Sequence, residues 1–420
     1  MLQNRNISLF VINDFVSQIG NSIFSILIMW YVYETTTSAI ATALIGSFTH
    51  ISAFFIGPIA GVYADRSKNP KSVFSWILRF NSFILIIMVI CIYILSNEME
   101  IFAVFVLVAI RNISFDFLYP VQTRVIPLIV PKDSVTKLLG YRSVSGNISS
   151  LLGNAVSGFV ISLVGIIGGL ILNSITFFLS SILISLLKLI QSPQSNKVKD
   201  LNSEDCQGFE SKKMGLKKEL LEGSKVLWNN DSLRKITIIS CLLNVVSMVG
   251  PMIVVYFNSY LNASSTTYGV FNAMITLGSI ISGAIIGLLV KKHNNSTIVL
   301  FGWSLLSIIF FFMALNKVIW IIFVLGLLLG ICLTLPNIIL NSVQILIIPD
   351  EYRGRVSTLL QAVSVVLIPV SNFLGGIIAD NLGANYVFLF CGLWQFLVVL
   401  IVYKNREIFN IQSTETETAL

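Results

Sequence analysis

Asp14, Arg111 and Asp116 each stand inside a long apolar stretch, where an ionised group needs a reason to be. Arg111 interrupts the run Val108-Ala109-Ile110 and is followed by Asn112. A guanidinium in hydrocarbon is costly unless it is paired or faces a wet cavity. Burial of an acid raises its pKa toward the range in which it can load and release protons. Asp14 and Asp116 are therefore both candidates for a proton-carrying carboxylate, with Arg111 as the charge that tunes it; a packing role for the two acids is the alternative. Asp116 follows Arg111 by five residues, about 140° round a helix, so a pair along one helix is poor. Asp14 can approach Arg111 across a bundle. Asn147 and Asn154, among Gly146, Gly153 and Gly158, are further candidates for lining the same cavity. Arg79 lies about two turns from the end of its apolar run, where snorkelling to the interface accounts for it. His50 reads as a packed, hydrogen-bonded histidine.

These residues must be positioned by membrane-crossing helices. The chain has 420 residues, of which 55% are hydrophobic and 11% charged, against roughly a quarter charged in soluble domains. Windows of about 20 residues place spans 1 to 6 near 7–32, 38–62, 73–95, 101–122, 143–163 and 166–190. Spans 7 to 12 follow near 236–258, 268–290, 297–315, 318–341, 356–379 and 385–403. The expected fold class is all-α integral membrane, with twelve transmembrane helices in two pseudo-symmetric six-helix bundles. Of the 27 Lys and Arg residues, this threading puts all but Arg79, Arg111 and Lys317 on one side. That asymmetry makes the basic side, with both termini, the cytoplasm. The first span is too long for a signal-peptide core and lacks a small-residue cleavage site, so it is expected to be retained.

The domain reading is 1–190 for the first bundle, 191–235 for a cytoplasmic linker, 236–404 for the second bundle and 405–420 for a cytoplasmic tail. Within the linker, Lys212 to Trp228 reads as an amphipathic helix at the membrane surface, or as a plain charged connection. The two halves repeat: Pro131, Asp133, Lys137, Gly158 and Gly165 align at one offset with Pro349, Glu351, Arg355, Gly376 and Gly383. Gly57 and Gly61 align with Gly283 and Gly287 at a slightly larger one. Such a duplication is a transporter signature, because two related bundles can rock around a central site. The basic residues are dispersed over loops facing anionic lipid, so the partners expected are the bilayer, a small-molecule substrate and protons, with no nucleic acid. The five cysteines lack pairing spacing and read as packing residues. No phosphate loop, metal-ligand cluster or nucleophile elbow occurs, so neither an enzyme activity nor a cofactor or metal is expected.

The loop after span 2 reads Gly61-Val-Tyr-Ala-Asp65-Arg66-Ser-Lys68-Asn-Pro-Lys71. It resembles the loop 2–3 signature of the major facilitator superfamily, with a looser basic cluster. The resemblance implies that Gly61 permits tight helix contact at the cytoplasmic mouth. It also implies that Asp65 caps the helix beginning near Gly354, Arg355 and Val356, and that Arg66 and Lys71 add ionic contacts to this gate. Pro131-Lys-Asp-Ser-Val and Ile348-Pro-Asp-Glu-Tyr-Arg-Gly354-Arg355-Val, with Ser17-Gln-Ile-Gly20 and Gly57-Pro58, resemble the macrolide-efflux-type branch of the drug:proton antiporters, which also contains siderophore exporters. Arg111 matches the arginine that the superfamily associates with proton coupling; Ser114 and Phe115 stand where Gln and Gly are usual. The implied function is proton-driven export of a small amphipathic or hydrophobic molecule, by a monomer in the cell membrane. The alternatives are export of a siderophore and, in another class, a non-transporting assembly or signalling partner.

Overall fold

In the computed structural model of the protein, the chain is described over residues 2–190, 224–225, 227–348, 356, 359–360 and 363–410. Within these, the side chains of residues 2–4, 58, 62, 65, 97, 132, 133 and 345 lie outside the description. The Asp65 side chain, Gly354, Arg355, most of the 212–228 segment and the tail from 411 therefore lie outside the described residues.

All regular structure among the described residues is helical. That follows from the solvent, since in hydrocarbon a helix satisfies its own backbone donors and acceptors. Spans 1, 2 and 3 are the helices Leu2–Thr36, Ala39–Arg66 and Pro70–Ile94. Span 4 is Asn97–Asp116, continued after a bend at Phe117 by Leu118–Ile129. Spans 5 and 6 run together through Lys132–Ser185 and part at Gly165, whose φ of 69° and ψ of −175° reverse the chain. Span 7 starts as Asp231–Asn244, passes through a 3-10 turn at Val245–Met248 into Val249–Val255, and ends in a π-turn at Tyr256–Tyr260. Spans 8 to 12 are Ser265–Lys292, Asn295–Leu315, Ile319–Ile347, Leu367–Asn381 and Ala384–Lys404. Eleven segments are long and apolar enough to cross a membrane, and one of them, Ser134–Ser185, contains the two spans that Gly165 separates. Divided at Gly165, the described residues hold a helical segment for each of the twelve expected spans.

The repeat has a structural meaning. Gly165 and its counterpart Gly383, with φ of 112°, both sit at chain reversals. Thr37 (φ 51°) and Asn262 (φ 49°) are left-handed too, in the turns before spans 2 and 8. A side chain at φ above zero is strained, and glycine avoids that strain. All four lie on the side opposite the basic loops.

The chain forms two compact units. One takes in residues 1–36, 48–210 and 264–270, the other 37–47, 211–263 and 271–420, so far as these are described. In the first, span 1 packs along spans 5 and 6, and span 3 along span 6. Spans 3 and 6 are joined by serines: Ser82 and Ser174 donate to each other's carbonyl at 2.9 and 3.0 Å. The buried Asn6 amide donates to the carbonyls of Ile129 and Lys188 at 2.9 and 2.7 Å, gathering two helix ends. In the second unit, span 9 packs against spans 10 and 12. There the Tyr256 hydroxyl donates to the carbonyls of Met313 and Asn316. Cys91, Cys241, Cys332 and Cys391 are free thiols.

Candidate functional site

Asp14 and Arg111 do not meet; each has different partners. The Asp14 carboxylate, on span 1, accepts from the Gln122 amide at 3.0 Å and pairs with the Arg142 guanidinium at 3.4 Å. Arg142 in turn donates to the Gln122 carbonyl oxygen at 2.7 Å. Three side chains from spans 1, 4 and 5 thus close a triangle in which each touches the other two. Asp14 is 5% exposed and Gln122 is buried, while the Arg142 side chain keeps 20% of its surface open. The ion pair makes the buried carboxylate tolerable, and the amide fixes its geometry. Tyr119 lies beside Arg142, its ring centroid 6.0 Å from the guanidinium. An open groove of about 790 Å³ runs along spans 1 and 5, lined by Val11, Phe15, Tyr141 and Ser145 among others, with none of the three triangle residues in its lining.

Arg111 is 2% exposed and has no carboxylate partner among the described residues. Its guanidinium lies 3.8 Å from the centre of the Phe24 ring, with Phe115 and Phe177 at 5.4 and 5.5 Å. One donor reaches the Asn21 side-chain oxygen at 3.0 Å, and the Nε–H has no partner. Three aromatic faces and one amide oxygen hold this charge by cation–π attraction and a single hydrogen bond.

The other expected site residues separate further. Asp116 ends its helix half-buried, with one carboxylate oxygen buried and unpartnered. Asn147 is exposed on span 5, and Asn154 is half-buried with its carbonyl accepting from Ser157 at 2.7 Å. At Gly61 an added methyl would meet nothing within 4 Å. Arg66 is exposed, and Lys71 donates to the Leu187 carbonyl at 2.5 Å. The second unit holds a cavity of about 330 Å³ whose walls include Trp303, Phe310, Leu329 and Asn244. Gln395 also lines it, with neither side-chain polar atom partnered.

Three residues were missed in the sequence. Arg142 sits just outside the expected span 5 and Gln122 is the last residue of the expected span 4, so they read as charge and polarity at span ends. Asp380, in the last turn of span 11, reads as a polar helix end. In the structure its carboxylate accepts from the backbone N–H of Ala39 at 2.6 Å and of Ile40 at 3.1 Å, and from the Ser38 hydroxyl at 3.1 Å. It thus caps the N-terminus of span 2, satisfying orphan donors and complementing the helix dipole. Beside it, a methyl on Gly376 would come within 2.8 Å of the Ile40 Cα. The repeat-related junction lies in the first unit. There a methyl on Gly158 would come within 2.3 Å of the Ser265 carbonyl oxygen at the start of span 8, and Trp30 stacks on Tyr268 at 5.9 Å.

A family model described as transmembrane secretion effector matches residues 2–419. Macrolide efflux protein A of Streptococcus pyogenes is 21% identical over 396 residues, covering 94% of both chains. Among solved structures, a variant of the nucleoside transporter NupG superposes with a TM-score of 0.74 at 12% identity, covering 95% of this chain and 99% of that one. A bacterial homologue of the iron transporter ferroportin, in an inward-facing state, superposes with a TM-score of 0.71 at 12% identity, covering 96% and 98%.

Proposed function

The chain belongs to the transmembrane secretion effector family, and from that premise we propose that this transporter of the major facilitator type exports a small amphipathic or hydrophobic molecule in exchange for protons. The observation that carries the reading is the triangle of Asp14, Gln122 and Arg142. An ionised Asp14 occupies donors of both partners. A proton on Asp14 takes the carboxylate that a donor on the substrate would otherwise reach, and it cancels the charge that holds Arg142. Proton and substrate then compete for one set of groups, and such competition is what exchange requires. The groove along spans 1 and 5 and the apolar cavity of the second unit suit a cargo with much apolar surface and few polar groups. Arg111 supplies a fixed positive field nearby in this scheme, while Asp116, Asn147 and Asn154 contribute polar surface.

The gating part of the proposal uses both ends of spans 2 and 11. Asp65 at the end of span 2 caps the start of span 11 near Gly354 and Arg355 when the cytoplasmic mouth is shut, with Gly61, Arg66 and Lys71 completing that contact. Asp380 at the end of span 11 does the same for the start of span 2 at the opposite face. Both termini are placed in the cytoplasm, and the working unit is a monomer built from a bundle of residues 1–190, the 191–235 linker, a bundle of 236–404 and the 405–420 tail. Export of an anionic metallophore is the second reading. It is favoured by two guanidinium groups, Arg142 paired with Asp14 and Arg111 with no carboxylate partner among the described residues.

Proteoliposomes with an imposed pH gradient and a panel of macrolides and siderophores test the proposal. Asp14→Asn is expected to lose gradient-driven transport by at least tenfold while inserting normally; transport equal to the wild type would remove the proton-coupling role. Asp65→Ala should cripple turnover with insertion intact, and normal turnover would remove the gate assignment. A chain that moves no member of the panel but binds another membrane protein would favour the non-transporting alternative.

A further inference from the structure

A second polar site lies away from the triangle, on the outer surface of spans 3 and 6 at the basic side. The first turns of span 3 and the last turn of span 6 enclose a cavity of about 250 Å³, lined by Lys71, Ser72, Ser75, Trp76, Arg79 and Ser185, with Asn69 at its rim. It holds two cations, and no described carboxylate pairs with either. Lys71 uses one of its three N–H donors on the Leu187 carbonyl at 2.5 Å. Arg79 makes only long contacts, from Nε to the Ser181 hydroxyl at 3.4 Å and from one Nη to the Ser185 hydroxyl at 3.3 Å. Most of its five donors are unspent. The cavity thus carries a surplus of positive charge and of hydrogen-bond donors, which an oxyanion with several acceptor oxygens complements.

The surroundings say which oxyanion. Arg79 is rooted nine residues into its helix, about 13 Å from the helix start, yet its guanidinium reaches back to Ser185, the last residue of the span-6 helix. The charge therefore sits at the level where the helix ends, as a snorkelling arginine places it. Trp76, at the cavity edge, is 66% exposed. Below it Phe80 and Phe83 on span 3, and Phe178 and Ile182 on span 6, are exposed along the same apolar surface toward the middle of the membrane. A tryptophan at the interface above an apolar strip is the setting of a lipid: headgroup above, acyl chains below.

We propose that this cavity binds the phosphate of an anionic glycerophospholipid, which bridges spans 3 and 6 from the bilayer side. The phosphate oxygens accept from Arg79, Lys71 and the serine hydroxyls, while the chains lie over Phe80, Phe83 and Phe178.

The test uses the full chain, purified and delipidated, with phosphatidylglycerol, phosphatidylcholine, glycerol phosphate and inorganic phosphate as separate probes. Native mass spectrometry reads retained lipid, and thermal unfolding reads stabilisation. Phosphatidylglycerol is expected to be retained and to raise the melting temperature, with phosphatidylcholine and the two soluble phosphates at least tenfold less effective. Arg79→Gln should weaken phosphatidylglycerol binding about tenfold, the loss of one charge-assisted contact. Arg79→Lys should recover part of it, and Trp76→Ala should weaken it less than Arg79→Gln. If Arg79→Gln does not fold, Arg79→Lys and Lys71→Gln carry the comparison. Wild-type retention in the arginine and lysine variants, or equal binding of phosphatidylcholine, would overturn the proposal. Inorganic phosphate matching the lipid would overturn its lipid half.

Discussion

The repeat places glycines near both ends of the membrane helices, and the two ends use them in opposite ways. On the side opposite the basic loops, Gly158 and Gly376 leave no room for a methyl: it would meet backbone atoms at 2.3 and 2.8 Å. On the basic side, Gly57, Gly61, Gly283 and Gly287 would each accept one with nothing within 4 Å. A glycine inside a helix costs about 1 kcal/mol relative to alanine. At the first end close helix packing offsets that cost, whereas at the second no contact among the described residues does. Under the proposed alternation, the basic-side glycines would be spacers for a closer packing at that end in another state of the transport cycle.

Substitutions separate the two ends. Gly158→Leu is the most damaging, because a branched side chain would displace the backbone at Ser265; it should leave little folded protein in detergent extracts. Gly158→Ala should still cost about 1–3 kcal/mol, the usual range for overpacking, read as a lowered melting temperature. Asp380→Ala removes a cap on span 2 and should cost about 0.5–2 kcal/mol, whereas Ser162→Ala, at the matching position of span 5, should stay within about 0.5 kcal/mol. Near-equal losses at the two positions would show that the carboxylate is not what distinguishes these junctions. The smallest effect on stability belongs to Gly61→Ala. It should stabilise the protein by up to about 1 kcal/mol, read as a slightly raised melting temperature, and yet lower the transport rate severalfold. Unchanged transport in that variant would break the comparison, since it would leave Gly61 with no second packing to serve.

The crossings and the repeat were legible because hydrocarbon imposes a simple code. Apolar length gives the spans, and positive φ at Gly165 and Gly383 marks turns that a repeat must conserve in geometry. The site was legible only in part. Asp14 and Arg111 stand out as charges in apolar runs, but partner choice depends on helix rotation and tilt, which spacing does not encode. Arg142 drew no notice because a basic residue at a span end already had a topological explanation. The aromatic setting of Arg111 was hidden for another reason: Phe24, Phe115 and Phe177 come from three distant segments and look like any other membrane phenylalanine. Asp380 was passed over because acids at helix C-terminal ends read as solvated, and its partner lies at the start of span 2.

The reversals on the side opposite the basic loops have a practical consequence. Between consecutive helices there the chain spends only residues 37–38, 95–96, the single Gly165, 261–264, 316–318 and 382–383. Such turns are too short to enter a protease cleft or to present a linear epitope. With the basic side in the cytoplasm, as proposed, intact cells should therefore resist surface shaving and antibody labelling of this protein, and a reporter tag meant for that face would have to lengthen a turn held by Thr37, Gly165, Asn262 or Gly383. In that orientation the protein would show its surroundings little more than the ends of its helices.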